Sequence, residues 1–227
     1  MLIPFNELPN EFKNESVKKY YDILSSKKNS LRFKRLFDIV VSLIILVFII
    51  IPILIIALIV KLTSKGPVFY RQVRVTTYNR EFKIFKFRTM VVDADKIGAL
   101  VTAENDPRIT KIGAFLRKYR LDELPQIFNV LIGDMSFVGT RPEVSKYVNL
   151  YKDEYYATLL MPAGITSLAS IKFKNEDKLL AESTNIDEDY INIILPKKMR
   201  YNLLYLGKFS IKNDIGVMLK TVSEVIK

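Results

Sequence analysis

The 227-residue chain contains no histidine and no cysteine. Without cysteine there are no disulfides, no zinc-thiolate sites and no thiol nucleophile, which fits a reducing compartment. Without histidine a His-based triad is excluded. Any acid, base or nucleophile must therefore come from other groups. There is also no internal repeat and no low-complexity tract. The length allows one domain of ordinary size, or one domain with an appendage. What the chain has in excess is positive charge. A net +11 points to a polyanionic partner: nucleic acid, anionic lipid headgroups or phosphate-bearing substrates. No nucleic-acid module is recognisable and the cations are dispersed, which argues against the first of these.

One hydrophobic run decides the setting. From Leu36 to Val60 the only side chains that are not apolar, apart from Pro52, are Asp38 and Ser42. That is membrane-segment length. The run starts late, is too long for the apolar core of a signal peptide and lacks a small-residue cleavage site after it. A core helix that is apolar on every side would need a larger protein around it. Straight, the run would extend roughly 37 Å, enough to cross a hydrocarbon core of about 30 Å. Pro52 divides it into limbs of roughly 24 and 14 Å, neither of which crosses alone. Both flanks are basic: Arg32, Lys34 and Arg35 before it, Lys61 and Lys65 after it, with Arg71 and Arg74 further on. The positive-inside rule assigns both ends to the cytoplasm. Kink and flanks together favour a re-entrant helical hairpin turning at Pro52, with a kinked spanning helix as the alternative.

The organisation expected is α/β and mostly helical: an amphipathic extension over 1–31, a re-entrant membrane helix over 32–62, and a cytoplasmic domain over 63–227 with a small β-hairpin. Val17, Tyr20, Tyr21 and Leu24 predict a helix lying on the surface. Val68 to Val75 and Glu81 to Met90 predict a hairpin around Thr76 to Arg80. After Pro107, Ile109, Ile112, Phe115, Leu116 and Tyr119 follow helical spacing amid five cations, a face suited either to an anionic membrane or to solvent. Glu143 to Leu160 reads as helix, Met161 to Gly164 as a break and Ser167 to Phe173 as a short strand. Helices resume near Asp187 to Leu206, interrupted at Pro196, and over Ile211 to Ile226.

The chemistry concentrates in Leu121 to Pro142, where two adjacent acids, a Gly-Asp turn and an Arg before Pro stand close together. A helix is expected to start near Asp122, with Pro125 in its first turn. Seen alone, Asp122 and Glu123 would be helix-capping acids.

Five segments in order carry a resemblance: Lys34-Arg35-Leu36-Phe37-Asp38, Phe85-Lys86-Phe87-Arg88-Thr89-Met90, Leu121-Asp122-Glu123-Leu124-Pro125-Gln126, Gly133-Asp134-Met135-Ser136-Phe137-Val138-Gly139 with Arg141-Pro142, and Pro162-Ala163-Gly164-Ile165-Thr166. From about Lys34 to the C-terminus the chain resembles the bacterial sugar transferases, the monotopic polyprenyl-phosphate phosphoglycosyl transferases. The resemblance implies transfer of a sugar 1-phosphate from a UDP-sugar to polyprenyl (undecaprenyl) phosphate, with release of UMP. It implies Asp122 as nucleophile carrying a phospho-sugar, Glu123 as its helper, Mg²⁺ on Asp122 and Glu123, and Arg141 as phosphate clamp, with Lys86 and Arg88 as further substrate-binding cations. It also implies residence at the inner-membrane surface with the catalytic domain in the cytoplasm, and lipid contact; it leaves a homodimer open. The physical fit is direct: a carboxylate is ionised at neutral pH, and cations offset its repulsion from a diphosphate.

Five positions depart from the family pattern. Ile51 stands where Ser often precedes the proline, Thr76 and Asn79 where the hairpin usually has Gly, Thr140 in place of Pro, and Ser167 in place of Gly. They raise the alternative of an inactive, membrane-anchored assembly scaffold. The intact Asp122, Glu123 and Arg141 argue against it.

Overall fold

A computed structural model describes residues 2–94, 106–176, 179 and 185–226. Among these residues the chain is mostly helical, with three two-stranded pairings. Helix α1, Glu15–Ser25, begins where the Asn14 side chain accepts a hydrogen bond from the Val17 N–H at 2.9 Å, and Glu15 favours the positive end of its dipole. Its Val17, Tyr20 and Leu24 repeat at helical spacing and are buried in the common core with Leu8 and Phe12. The amphipathic face predicted to lie on a surface is therefore packed inward, against the turn Asp153–Leu159. The first residues reach the hairpin as well: the Ile3 N–H donates to the Tyr78 hydroxyl at 3.1 Å.

Helix α2, Lys28–Thr63, runs through Pro52 and contains the apolar segment. Its most apolar 18-residue stretch has a mean hydropathy of 3.7 and is only 11% buried, so by length and composition it could cross a membrane. Val47, Phe48, Ile51, Leu54 and Leu58 point outward, a continuous apolar surface that water would disfavour. The helix is tied to the domain at both ends. Near the start, Lys34 pairs with Asp214 of the C-terminal helix Ile211–Ile226 at 2.6 Å, and Asp38 accepts from the Phe137 N–H at 3.2 Å. Arg35 donates to the carbonyls of Val130 and Leu131 at 2.5 and 2.7 Å, satisfying the free end of the following helix α4, Gln126–Ile132. Beyond the far end, the Ser64 carbonyl and hydroxyl accept from Arg88 at 2.7 and 2.6 Å.

The predicted hairpin forms, between β2, Val73–Val75, and β3, Glu81–Lys83. It is flanked by a second antiparallel pair, β1, Phe69–Tyr70, with β4, Lys86–Phe87. Its tip holds Tyr78 and Asn79 in the left-handed region, at φ 57° and 62°, which explains a glycine preference at position 79. Thr76 is extended instead, and its hydroxyl donates to the Asp134 carbonyl at 2.7 Å while accepting from the Ala163 N–H at 3.1 Å. The Gly-to-Thr departure thus adds a bridge between the hairpin and the central strands.

Those strands, β5, Met135–Val138, and β6, Ala163–Thr166, pair in parallel. The strand expected over Ser167 to Phe173 is a helix, α5, Leu168–Lys172, because the Ser167 hydroxyl accepts from the Ser170 N–H at 2.8 Å and caps it. The strand lies just before, in place of the expected break. Glu143 to Leu160 is not one helix but a short helical turn, Ser145–Val148, and a 3₁₀ stretch, Asp153–Leu159. Helix α3, Lys111–Lys118, forms behind a Thr110 cap, burying Leu116 and leaving Phe115 and Tyr119 exposed. Pro196 falls in the first turn of the helix Leu195–Gly207, after a single π-turn, Tyr190–Ile194.

Candidate active site

Two elements meet around a cleft of about 1030 Å³: the hairpin strands on one side and the turn before α4 on the other. Arg120 takes φ 55°, and the chain then tightens into a 3₁₀ turn, Leu121–Glu123, before α4 starts behind Pro125. The α-helix thus begins later than the expected start at Asp122. That leaves both acids off the α-helix, with no capping bond from Asp122 or Glu123. They face the cleft instead.

Glu123 is clamped. Its Oε1 accepts from Arg141 Nη2 at 2.6 Å and from Lys86 Nζ at 3.0 Å. Burial pushes the Glu123 carboxyl up, but Arg141 and Lys86 together outweigh it and hold the group well below the ordinary range. Asp122 is the opposite case. It is buried, its Oδ1 has no hydrogen-bond partner, and burial pushes its pKa up, opposed by Lys86 and reinforced by Glu123. Two neighbouring carboxylates are thereby driven apart, one locked as an anion and one left with an unsatisfied oxygen.

The supports for this arrangement are rigid. Asn129, fully buried on α4, accepts from the Phe85 N–H at 2.8 Å and donates to the Lys83 carbonyl at 3.2 Å, fixing the strand bend that delivers Lys86. Arg141 follows β5 in a loop held by the Gly139 N–H on Thr166 and the Gly164 N–H on the Thr140 carbonyl, at 3.1 and 2.8 Å. Any side chain at Gly164 would collide with the Gly139 backbone, so that approach needs glycine. Backbone bonds hold the loop at Thr140, whatever the departure from proline there.

Of the residues singled out from sequence, the structure brings Asp122, Glu123, Lys86 and Arg141 together. Arg88 lines the same cleft but is bonded to Ser64 rather than to the acids. Sequence reading misses Arg74, which there is only a membrane-flanking cation. It donates to the Pro142 carbonyl at 3.2 Å, beside Arg141. It also misses a buried cluster further along the cleft, where Lys198 meets Glu143, Tyr190 and Glu176 at 3.2, 2.8 and 3.2 Å. Glu143 directly follows Arg141-Pro142, the one local signal that could have drawn attention to it.

Among the described residues no group of three or more acids is placed to hold a metal by itself. The pair Asp122 and Glu123 nonetheless suits Mg²⁺. It leaves Asp122 Oδ1 unpartnered and Glu123 Oε2 with only a 3.5 Å contact to Arg141. Mg²⁺ commonly takes one or two carboxylates and completes its shell with water and substrate phosphates.

The model of a family described as bacterial sugar transferase matches residues 29–227. A UDP-glucose:undecaprenyl-phosphate glucose-1-phosphate transferase of Klebsiella pneumoniae is 40% identical over 194 residues, covering 84% of this chain and 39% of that protein. The Escherichia coli (strain K12) protein of the same description is 37% identical over 207 residues, covering 89% and 42%. An undecaprenyl-phosphate galactose phosphotransferase of Salmonella typhimurium is 36% identical over 218 residues, again 89% and 42%. The chain thus spans about two fifths of the length of these relatives.

Proposed function

The chain belongs to the bacterial sugar transferase family, and from that premise we propose that it moves a sugar 1-phosphate from a UDP-sugar to undecaprenyl phosphate at the inner-membrane surface. The observation that carries the reading is the buried Asp122, with an unpartnered carboxylate oxygen, beside a Glu123 clamped by Arg141 and Lys86. In the first step an Asp122 oxygen attacks the β-phosphorus. The bond from that phosphorus to the bridging oxygen breaks, UMP leaves, and the sugar phosphate stays on Asp122. In the second, an oxygen of the lipid phosphate attacks the same phosphorus, the acyl phosphate bond breaks, and the Asp122 carboxylate is restored with a diphosphate-linked sugar on the lipid. Arg141 and Lys86 meet the phosphoryl charge, and Arg141 adds a planar fork that grips two oxygens. Mg²⁺, held by Asp122 and Glu123 when bound, would supply further charge neutralisation.

The test is UMP release with undecaprenyl phosphate and Mg²⁺ across UDP-glucose, UDP-galactose and UDP-N-acetylgalactosamine. Turnover with one donor supports the reading. A folded preparation silent with a full donor panel would favour the inactive scaffold.

The acid limb of the pH–rate profile supplies a second check. A protonated Asp122 cannot attack, so kcat/KM should rise with pH through the Asp122 pKa. Burial places that limb above the roughly 3.9 of an ordinary Asp. Replacing the like-charged neighbour, Glu123→Gln, should move the limb of the residual activity to lower pH; a shift upward would contradict this assignment.

The membrane reading is re-entrant, with both ends of α2 on the cytoplasmic side. Its support is the anchoring of Lys34, Arg35 and Asp38 before Pro52, and of Ser64 after it, to one and the same domain. Since the chain lacks cysteine, single Cys probes at Asn10 and Ser223 should both label only from the cytoplasm. Periplasmic labelling of one would restore the spanning helix.

A further inference from the structure

Arg88 is a buried cation that the mechanism leaves unused, and unlike Lys34 and Lys198 it has no carboxylate partner among the described residues. It is 5% exposed, and only Nη2 is satisfied, by the Ser64 carbonyl and hydroxyl, while Nε and Nη1 are buried without partners. Burial lowers its pKa, and among the described residues no charged neighbour opposes that effect. A guanidinium in this state is costly unless an anion completes it. Lys86 and Arg88, two residues apart, both line the cleft. Lys86 turns to Glu123, whereas Arg88 turns to the loop where α2 leaves the apolar region.

The cleft wall changes character around it. Ile45 and Ile49 of the membrane helix line the same cleft as Arg88, together with Phe69, Leu124 and Ile127. Ile45 and Ile49 are half-buried, so the cleft is lined directly by residues of the apolar segment. A water-soluble nucleotide sugar has no need of that wall. A phosphate carried on a long hydrocarbon chain needs both the wall and a cation at its head.

We propose that Arg88 anchors the acceptor: its Nε and Nη1 take the oxygens of a phosphate monoester whose hydrocarbon tail runs along Ile45, Ile49 and Phe69. This rests on the function proposed above and adds to it a division of the cleft. Arg141 and Lys86 serve the donor diphosphate, and Arg88 serves the lipid.

Two measurements test this. In steady state at saturating UDP-sugar, Arg88→Gln should raise the KM for undecaprenyl phosphate about tenfold or more, the scale of a lost bond to a charged group, with the UDP-sugar KM unchanged. Arg88→Lys should recover part of that loss. Ser64→Ala removes one tie to the guanidinium but not its unpaired groups, and should leave the lipid KM in place. If both KM values rise together, or if Ser64→Ala reproduces Arg88→Gln, Arg88 is a structural brace and the proposal fails. The second measurement needs no turnover, so it decides even if the wild type releases no UMP. A photoreactive polyprenyl phosphate in nanodiscs should label the wild-type protein and not Arg88→Gln protein of unchanged thermal stability. Undecaprenyl phosphate should compete with it, and undecaprenol and inorganic phosphate should not. Equal labelling of the variant, or competition by undecaprenol, would remove the phosphate contact from Arg88. Competition by inorganic phosphate would make this a general anion site rather than an acceptor site.

Discussion

Asp122→Asn is expected to abolish UMP release, with a loss on the order of 10³-fold or more, as removal of a covalent nucleophile typically produces. The substitution keeps shape and volume in a buried position, so the fold should tolerate it. Among the described residues the Asp122 Oδ1 has no hydrogen-bond partner. Burial already disfavours its charged form, so a neutral amide removes an electrostatic strain rather than a support. Stability should therefore hold or rise while activity disappears, the pattern expected of a functional group and opposite to that of a structural one. Intact-mass analysis of protein quenched with UDP-sugar in the absence of lipid supplies the second readout. The wild type should gain the mass of a sugar phosphate and Asp122→Asn should not. Turnover by the variant, or an adduct of undiminished yield, would take the nucleophile's role away from Asp122.

The acid pair itself is legible in the sequence because it stands in a long, ordered motif; its surroundings are not. The long apolar helix α2 announces itself through composition alone, as an apolar run of membrane-crossing length. The hairpin follows from β-branched and aromatic residues around a turn, and Asn79 shows in its φ why that turn is tight. The parallel pair β5–β6 escapes notice for a physical reason. Met135–Val138 is buried on both faces and shows no alternation, Ala163–Thr166 contains a glycine, and their pairing joins distant segments. Ser167 misleads in the other direction, since a hydroxyl before small and apolar residues suits a strand edge or a helix cap, and only the Ser170 N–H decides. Arg74 and the Lys198 cluster are purely tertiary. Nothing near them in the chain says that Lys198 will meet Glu143, because a helix and a loop far apart in sequence must first pack.

Arg141→Ala should carry the second large effect, a fall in kcat of about 10²- to 10³-fold, comparable to removing one preorganised donor from a developing oxyanion. Two contributions add. The substrate loses a bidentate cation, and Glu123 loses its shortest partner, the 2.6 Å bond to Nη2. With Arg141 gone, only Lys86 remains to oppose the burial of Glu123, so the carboxyl that Arg141 and Lys86 held well below its ordinary range must move up. As pH falls, the variant should therefore lose its residual activity earlier than the wild type, through protonation of Glu123 as well as of Asp122. A merely structural defect would lower the whole profile without moving it. Arg141→Lys should separate the contributions, because a lysine restores the charge and so the pH profile, but cannot reproduce the planar two-point grip. Its acid limb should match the wild type while kcat stays depressed. An Arg141→Lys enzyme with wild-type kcat would show that charge alone is used at this position, and an unmoved acid limb in Arg141→Ala would show that Glu123 is held ionised by something other than Arg141.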